Sequence, residues 1–222
     1  MNRRKAIPGS TSATGRARVP RVSREAQRER NTQAILEGAW VTFCEKGYEG
    51  VTLDAVAEYA GVSRMPVYWL FGDKQSLFFE LWKKVIAEVL QQMGQRMRAS
   101  ASLRSNLEAL AKFATDTRTQ PESPHAESLF FVVQTVALSR PDIAEKLRKI
   151  SNDTVETFTG FIRTSTLAEG ERLRGSAASV AAHLIAHING LSTVQFQTHR
   201  QFVKAKDLTE IFVAIALKGA GP

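Results

Sequence analysis

Cysteine is nearly missing from the chain: Cys44 is the only one among 222 residues. A single thiol makes no intramolecular disulfide and no thiolate metal cluster, so nothing in the composition asks for an oxidising compartment. Long apolar runs are missing as well. No stretch approaches the roughly 18 uninterrupted apolar residues of a membrane span, and the Arg-rich N-terminus lacks the apolar segment of a secretory signal. A cytoplasmic setting without membrane contact is therefore expected. No strand-like alternation of apolar and polar residues and no repeat of fixed period appear, so the chain reads as all-helical. Ser, His and Asp are present but lie in no nucleophile elbow, phosphate loop or metal box, and an enzyme is not expected. His183 and His187 stand four apart, a spacing able to bind a metal, yet no Glu or Cys cluster adjoins them and they read as interface residues. Cys44 reads as a packed thiol rather than a redox sensor. Neither a metal nor a cofactor is expected.

Apolar residues make up 43% of the chain, enough for one medium domain or two small ones with a real core. The net charge of +8 is distributed very unevenly. Residues 1–30 hold nine Arg and Lys against Glu25 and Glu29, a balance of +7, while the other 192 residues hold 21 basic and 20 acidic side chains. A basic arm of this kind points toward a polyanion, either nucleic acid or an acidic membrane surface, unless it is a solvated tail that aids solubility.

Residues 6–22 combine Gly, Pro, Ser and Thr without hydrophobic periodicity and are expected to be flexible, so residues 1–22 form the arm. From Ser23 the apolar positions Ala34, Ile35, Ala39, Trp40 and Phe43 recur on one helical face that Gly47 closes. Thr52 and Ser63 are N-cap residues of two short helices that flank the turn Ala60-Gly61-Val62. Such a helix-turn-helix needs a small residue at the helix crossing, a glycine in the turn and a buried aliphatic in the second helix, and Ala57, Gly61 and Val67 supply them. Helix 64–70 then either enters a DNA major groove or is an ordinary helical corner. After Asp73 a long amphipathic helix begins, and the composition changes near residue 75. Further helical periods run over 103–113, 129–138 and 143–158, with breaks at Pro121, Pro124 and Pro141. The stretch 180–196 is apolar on almost every side, and a last helix follows Asp207, a plausible N-cap.

Residues 35–78 resemble the DNA-binding domain of the tetracycline-repressor (TetR) family of one-component transcriptional regulators. The resemblance rests on the Gly47-Tyr48 corner, Thr52, the run Ala57 to Ser63, Val67-Tyr68, Phe71, and Lys74 followed by Leu77. It implies that Thr52, Ser63, Tyr68 and Lys74 hold phosphates of a double-stranded operator and that Arg64, Met65 and Pro66 face the bases. Hydroxyls, a phenol and an ammonium near helix N-termini suit phosphate, and Arg64 can offer a bidentate fork to guanine. Two departures stand out. Pro66 occupies a place usually held by a polar residue and leaves only apolar readout there. Leu70 replaces the family's aromatic or histidine, and Trp69 either packs sugar edges or fills the core. Arg21, Arg24 and Arg28 are further DNA candidates in and after the arm.

The resemblance divides the chain into a helix-turn-helix domain over residues 23–74 and a helical effector-binding and dimerisation domain over residues 75–222. The second part is similar to the family's sensing half in fragments: Arg140-Pro141, residues 169–174, and Asn189-Gly190-Leu191. It implies a homodimer joined through the last two helices, with Val180, Leu184, Ile188, Leu191, Ile211 and Ile215 at the interface. Trp82, Phe113, Phe130, Phe131, Phe158 and Phe161 are the candidate lining of a pocket for a small apolar or amphiphilic effector, each of them equally able to be core. The expected function is a transcriptional regulator, a repressor, released from a palindromic operator by that effector. The rival reading is a basic-tailed helical adaptor or membrane-surface protein without sequence-specific DNA binding.

Overall fold

In the computed structural model, residues 23–98, 100–116 and 124–219 are described. Among them the chain is all-helical apart from a minimal ladder. Helix α1 (Arg24–Gly50) begins where the Ser23 hydroxyl accepts from the Ala26 N–H at 3.1 Å. Its Ile35, Leu36, Ala39 and Phe43 are buried along one face. At Gly47 the backbone turns to φ +66, which glycine reaches without a Cβ penalty, and one last turn then carries Tyr48 back into the core. Tyr48 and Phe43 both pack against Phe78 with ring centroids 5.0 Å apart.

Helix α2 (Leu53–Tyr59) is capped by Thr52, whose hydroxyl oxygen accepts from the Ala55 N–H at 3.1 Å. Helix α3 (Arg64–Phe71) follows after Gly61, which sits at φ +64, and it buries Val67 completely. The end of α2 lies so close to α1 that a Cβ on Gly38 would stand 3.2 Å from both the Cβ and the N of Ala60. Helix α4 (Lys74–Arg96) starts on Asp73, whose carboxylate accepts from the Ser76 N–H at 2.7 Å. That hydrogen bond to the ionised form holds the Asp73 carboxyl below its usual range.

Helices α5 (Leu103–Asp116), α6 (Pro124–Ser139), α7 (Pro141–Thr164), α8 (Ala177–Thr198) and α9 (Ala205–Ala216) complete the body. Pro124 and Pro141 open α6 and α7, where a missing N–H is harmless. The last helix begins two residues before Asp207, which falls in its first turn instead of capping it. Strands β1 (Arg172–Leu173) and β2 (Leu217–Lys218) pair antiparallel and tie the chain after α7 to the end of α9. Two residues are too short to carry an alternating pattern, which is why the sequence contains no sign of them. Beside this ladder, buried Glu171 accepts from Arg104 of α5 and from the Ala168 N–H, and these bonds hold its pKa below the ordinary carboxylate range. Asn106 of α5 clamps the same end of the bundle: its side chain accepts from the Arg98 N–H and donates to the Arg98 carbonyl and the Ser165 hydroxyl.

Two hydrophobic cores run through the molecule, and their border does not fall at residue 75. One core joins α1, α2, Val67 and the first half of α4 to Leu129, Val133 and Val136 of α6 and Ile143 and Leu147 of α7. The other joins Met93 and Met97 to α5, the end of α7, α8 and α9. The composition shift near residue 75 marks the start of a helix, and that helix spans both cores. The N-terminal head is thereby packed directly on α6 and α7.

Candidate nucleic-acid interface

Helix α3 turns Val67 inward and leaves its opposite face to solvent. Met65 is 74% exposed and Trp69 is 70% exposed, against 0% for Val67. At about 100° per residue, position 69 stands nearly opposite position 67, so the core alternative for Trp69 is excluded by helix geometry. Arg64, Tyr68, Ser63 and Thr52 are exposed around the same face, and Pro66 is half-buried at its edge. Ser63 caps α3 by backbone geometry without a side-chain hydrogen bond. Pro66 is the third residue of the helix and lacks the N–H that such a serine ordinarily binds, so the hydroxyl is not held by capping.

The first turns of α1 flank this face. Arg24, Gln27, Arg28 and Asn31 line one wall of a groove of about 520 Å3, and Met65, Pro66, Trp69 and Leu70 line the other. The Arg28 guanidinium lies 5.1 Å above the Trp69 ring, within cation–π range. Arg24 and Arg28 therefore join the recognition helix in one surface, whereas Arg21 lies outside the described residues. Gln27 and Asn31 were missed in the sequence, although the spacing 24, 27, 28, 31 is a helical face that periodicity could have exposed. Asp54 lies in the first turn of α2. In the structure it faces α3, with Arg64 Nη1 3.0 Å from its Oδ2 and the Tyr68 hydroxyl donating to its Oδ1 at 3.3 Å.

Lys74, expected at a phosphate, points elsewhere. Its ammonium donates to the Tyr48 carbonyl at 3.0 Å and the Glu49 carbonyl at 3.3 Å, and it stands 4.7 Å from the Tyr48 ring centroid. The last carbonyls of α1 have no partners within the helix, and Lys74 meets them from the start of α4. Arg140, between α6 and α7, closes the same cluster. It bonds Glu49 at 2.9 Å and Asp142 at 2.8 Å and lies 5.6 Å from the Tyr48 centroid. These bonds raise the Arg140 pKa and depress that of Asp142, so both remain charged. Burial lifts the Tyr48 phenol above its usual pKa despite the nearby guanidinium. The cluster fastens head to body.

The body's candidates are dispersed. Trp82 is buried in the head core, Phe113 and Phe158 are buried in the body core with Phe161 packed on it, and Phe130 packs against the head core. Phe131 stacks near Phe196 at 4.4 Å. The six aromatics share no cavity among those described, because their rings fill the helix contacts. A groove of about 640 Å3 lies instead between α4 and α7, lined by apolar Phe79, Ile86, Leu90 and Ile150 with Lys83 and Lys146 among its polar groups. Val180 and Leu184 are buried within the chain's own core, while Ile188, Leu191 and Ile215 pack partly on it and Ile211 is exposed. The outer face of α8 carries Ala178, Ala182, Ala186 and Gly190, all exposed and four apart. His183 is exposed on α8 and the His187 ring meets Phe212 edge-on at 6.0 Å. Among the described residues no three His, Cys, Asp or Glu side chains gather as metal ligands. The half-buried Cys44 thiol is pushed up to about 12, first by burial and then by Glu45.

Residues 35–81 match the family model of bacterial regulatory proteins, tetR family. Over these residues the chain is similar to the DNA-binding domain of that family. Over 65 residues it is 43% identical to the transcriptional repressor AcnR of Corynebacterium glutamicum, a match covering 28% of this chain and 35% of that repressor. The matched part thus spans about a third of such relatives. A longer match, 26% identical over 183 residues, covers 75% of this chain and 80% of the repressor BepR of Brucella suis. The whole fold is similar to that of a transcriptional regulator from Saccharomonospora viridis solved with choline, at TM-score 0.65 and 20% identity over 86% of this chain and 99% of that one. A regulator from Pseudomonas aeruginosa superposes at TM-score 0.69 with 16% identity over 88% and 90% of the two chains. No described helix of this chain is long and apolar enough to cross a membrane.

Proposed function

We propose that the chain is a transcriptional repressor that binds a palindromic duplex operator as a homodimer and leaves it when a small molecule occupies the body. The observation that carries this reading is the solvent face of α3: Arg64, Met65 and Trp69 stand clear of the core beside Arg24 and Arg28 of α1. A short helix whose N-terminal side chains are exposed, flanked by guanidiniums, fits a major groove with its backbone phosphates. Thr52, Ser63 and Tyr68 supply hydroxyl donors around it. The repressors AcnR and BepR among the relatives favour repression over activation.

One head reads only a few base pairs, and two-fold pairing doubles the discrimination. The small-residue face of α8 with exposed Ile211 of α9 suits a symmetric helix interface, because Ala and Gly let backbones approach closely. The groove between α4 and α7 suits the effector: apolar Phe79, Ile86, Leu90 and Ile150 line it together with Lys83, Lys146 and Lys149 set against Glu80 and Asp153, a lining that suits an amphiphile. A molecule wedged there acts on α4, the helix that Lys74 joins to the head.

Selection of a randomised duplex pool by the purified protein tests the reading. Enrichment of a two-fold palindrome, bound by two chains, is expected. A pool that stays random, with equal binding to every duplex, contradicts sequence-specific regulation and favours the adaptor reading.

A further inference from the structure

The two α3 side chains with the strongest hydrogen-bonding chemistry toward DNA share one acidic partner. Arg64 Nη1 is 3.0 Å from Asp54 Oδ2, and the Tyr68 hydroxyl donates to Asp54 Oδ1 at 3.3 Å. Arg64 and Tyr68 are one turn apart on α3, so a single carboxylate on α2 takes one donor from each with one oxygen apiece. The arrangement is open to solvent, with side-chain exposures of 72% for Arg64 and 38% for Asp54. No burial locks it in place. Asp54 is also a negative charge standing on the surface that would face a polyanion.

We propose that Asp54 sets the specificity of DNA recognition by holding Arg64 and Tyr68 away from indiscriminate phosphate contacts. The inference rests on the reading of α3 as the base-reading helix. An exposed ion pair is weak enough to be exchanged when something better is offered. A guanine edge offers the Arg64 fork two acceptors in a fixed plane, and the exchange then favours DNA. A site without guanine at that position offers the fork one base-edge acceptor, adenine N7 or thymine O4, so a single hydrogen bond would have to replace the ion pair. Arg64 then stays on Asp54, and the paired arginine contributes little to the electrostatic attraction on which non-specific binding depends. Any approach that strips Arg64 or Tyr68 from the carboxylate without replacing it leaves Asp54 unpaired beside the backbone, where like charge penalises the wrong complex. The carboxylate thus weakens non-operator binding more than operator binding.

Asp54→Asn tests this directly, because the amide keeps the shape and the acceptor for Tyr68 and removes the charge. The probes are the duplex enriched by the wild-type protein from a randomised pool and a scrambled duplex of the same composition. The variant is expected to bind the scrambled duplex roughly 3–10-fold more tightly, with a salt slope steeper by about one phosphate, while its affinity for the enriched duplex changes less than about twofold. In an Arg64→Ala background the same substitution should change scrambled-duplex affinity less than about twofold, since the arginine it would release is gone. An unchanged ratio between the two duplexes in Asp54→Asn overturns the proposal. So does a full-size effect that persists without Arg64, or an equal loss of both affinities in a variant that melts like wild type. Failure of the underlying reading looks different: Arg64→Ala alone would then leave binding of the enriched duplex untouched.

Discussion

Lys74 and Glu171 illustrate how a side chain's neighbours, invisible in a linear reading, decide its role. Lys74 is at the family's position for a phosphate contact, but only 27% of its side chain is exposed and its ammonium meets the carbonyls of Tyr48 and Glu49. Lys74→Ala should therefore remove about 1–2 kcal/mol of stability, read as a lower Tm, and leave the salt dependence of DNA binding unchanged. A shallower salt slope at unchanged Tm would return Lys74 to the DNA. Glu171 gives a pH prediction. Its folded pKa is lowered, first by the bond from Arg104, so its contribution is present at neutral pH and is lost as the pH falls through that depressed value. Glu171→Gln should melt earlier than wild type at pH 7, and the gap should close on acidification. A gap independent of pH would assign the effect to packing alone. Trp69 was ambiguous in the sequence because an aromatic next to a buried aliphatic has two destinations, and only its 70% exposure resolves them.

At the scale of helices, positions that depend on period and capping were legible. Thr52 caps as its residue type predicts, Ser63 caps by backbone geometry alone, Asp207 falls inside its helix, and Gly47 and Gly61 take the positive φ that the turns require. Contacts between distant helices were not legible, since no local pattern encodes which aromatic meets which. The five phenylalanines and one tryptophan expected around a ligand lie at separate helix contacts, and the open groove lies along α4 and α7, lined by Phe79, Ile86, Leu90 and Ile150. A straight-chain carboxylate such as decanoate is expected to raise the Tm of wild type by a few degrees, following ligand linkage, and to leave Ile150→Glu unmoved. Equal shifts in both proteins would place the effector somewhere else. Helix α8 carries a related lesson. Its nearly uniform apolarity combines an inner face of Val180 and Leu184, buried in the chain itself, with an outer stripe of Ala and Gly, and hydropathy does not separate the two.

For the whole molecule, the all-helical class and the position of the head followed from periodicity and motif spacing, while the continuity of the core did not. Leu129, Val133, Val136 and Ile143 of the body share a core with Phe43 and Phe78 of the head, so the two halves are packed directly on one another. If two such chains pair through the outer face of α8, Ala186→Arg should give a monomer by sedimentation and weaken operator binding at least tenfold, with the Tm of the separate chain little changed because Ala186 is exposed there. A variant that remains dimeric would move the interface elsewhere. The most direct test of the account is the affinity of wild type and Arg64→Ala for the selected duplex and for its single-base variants. The account predicts that Arg64→Ala costs about 1–3 kcal/mol per half-site contact and erases discrimination at one base position while preserving it at the others. A loss spread evenly over all base positions, or no loss at all, would contradict the assignment of α3 as the helix that reads DNA.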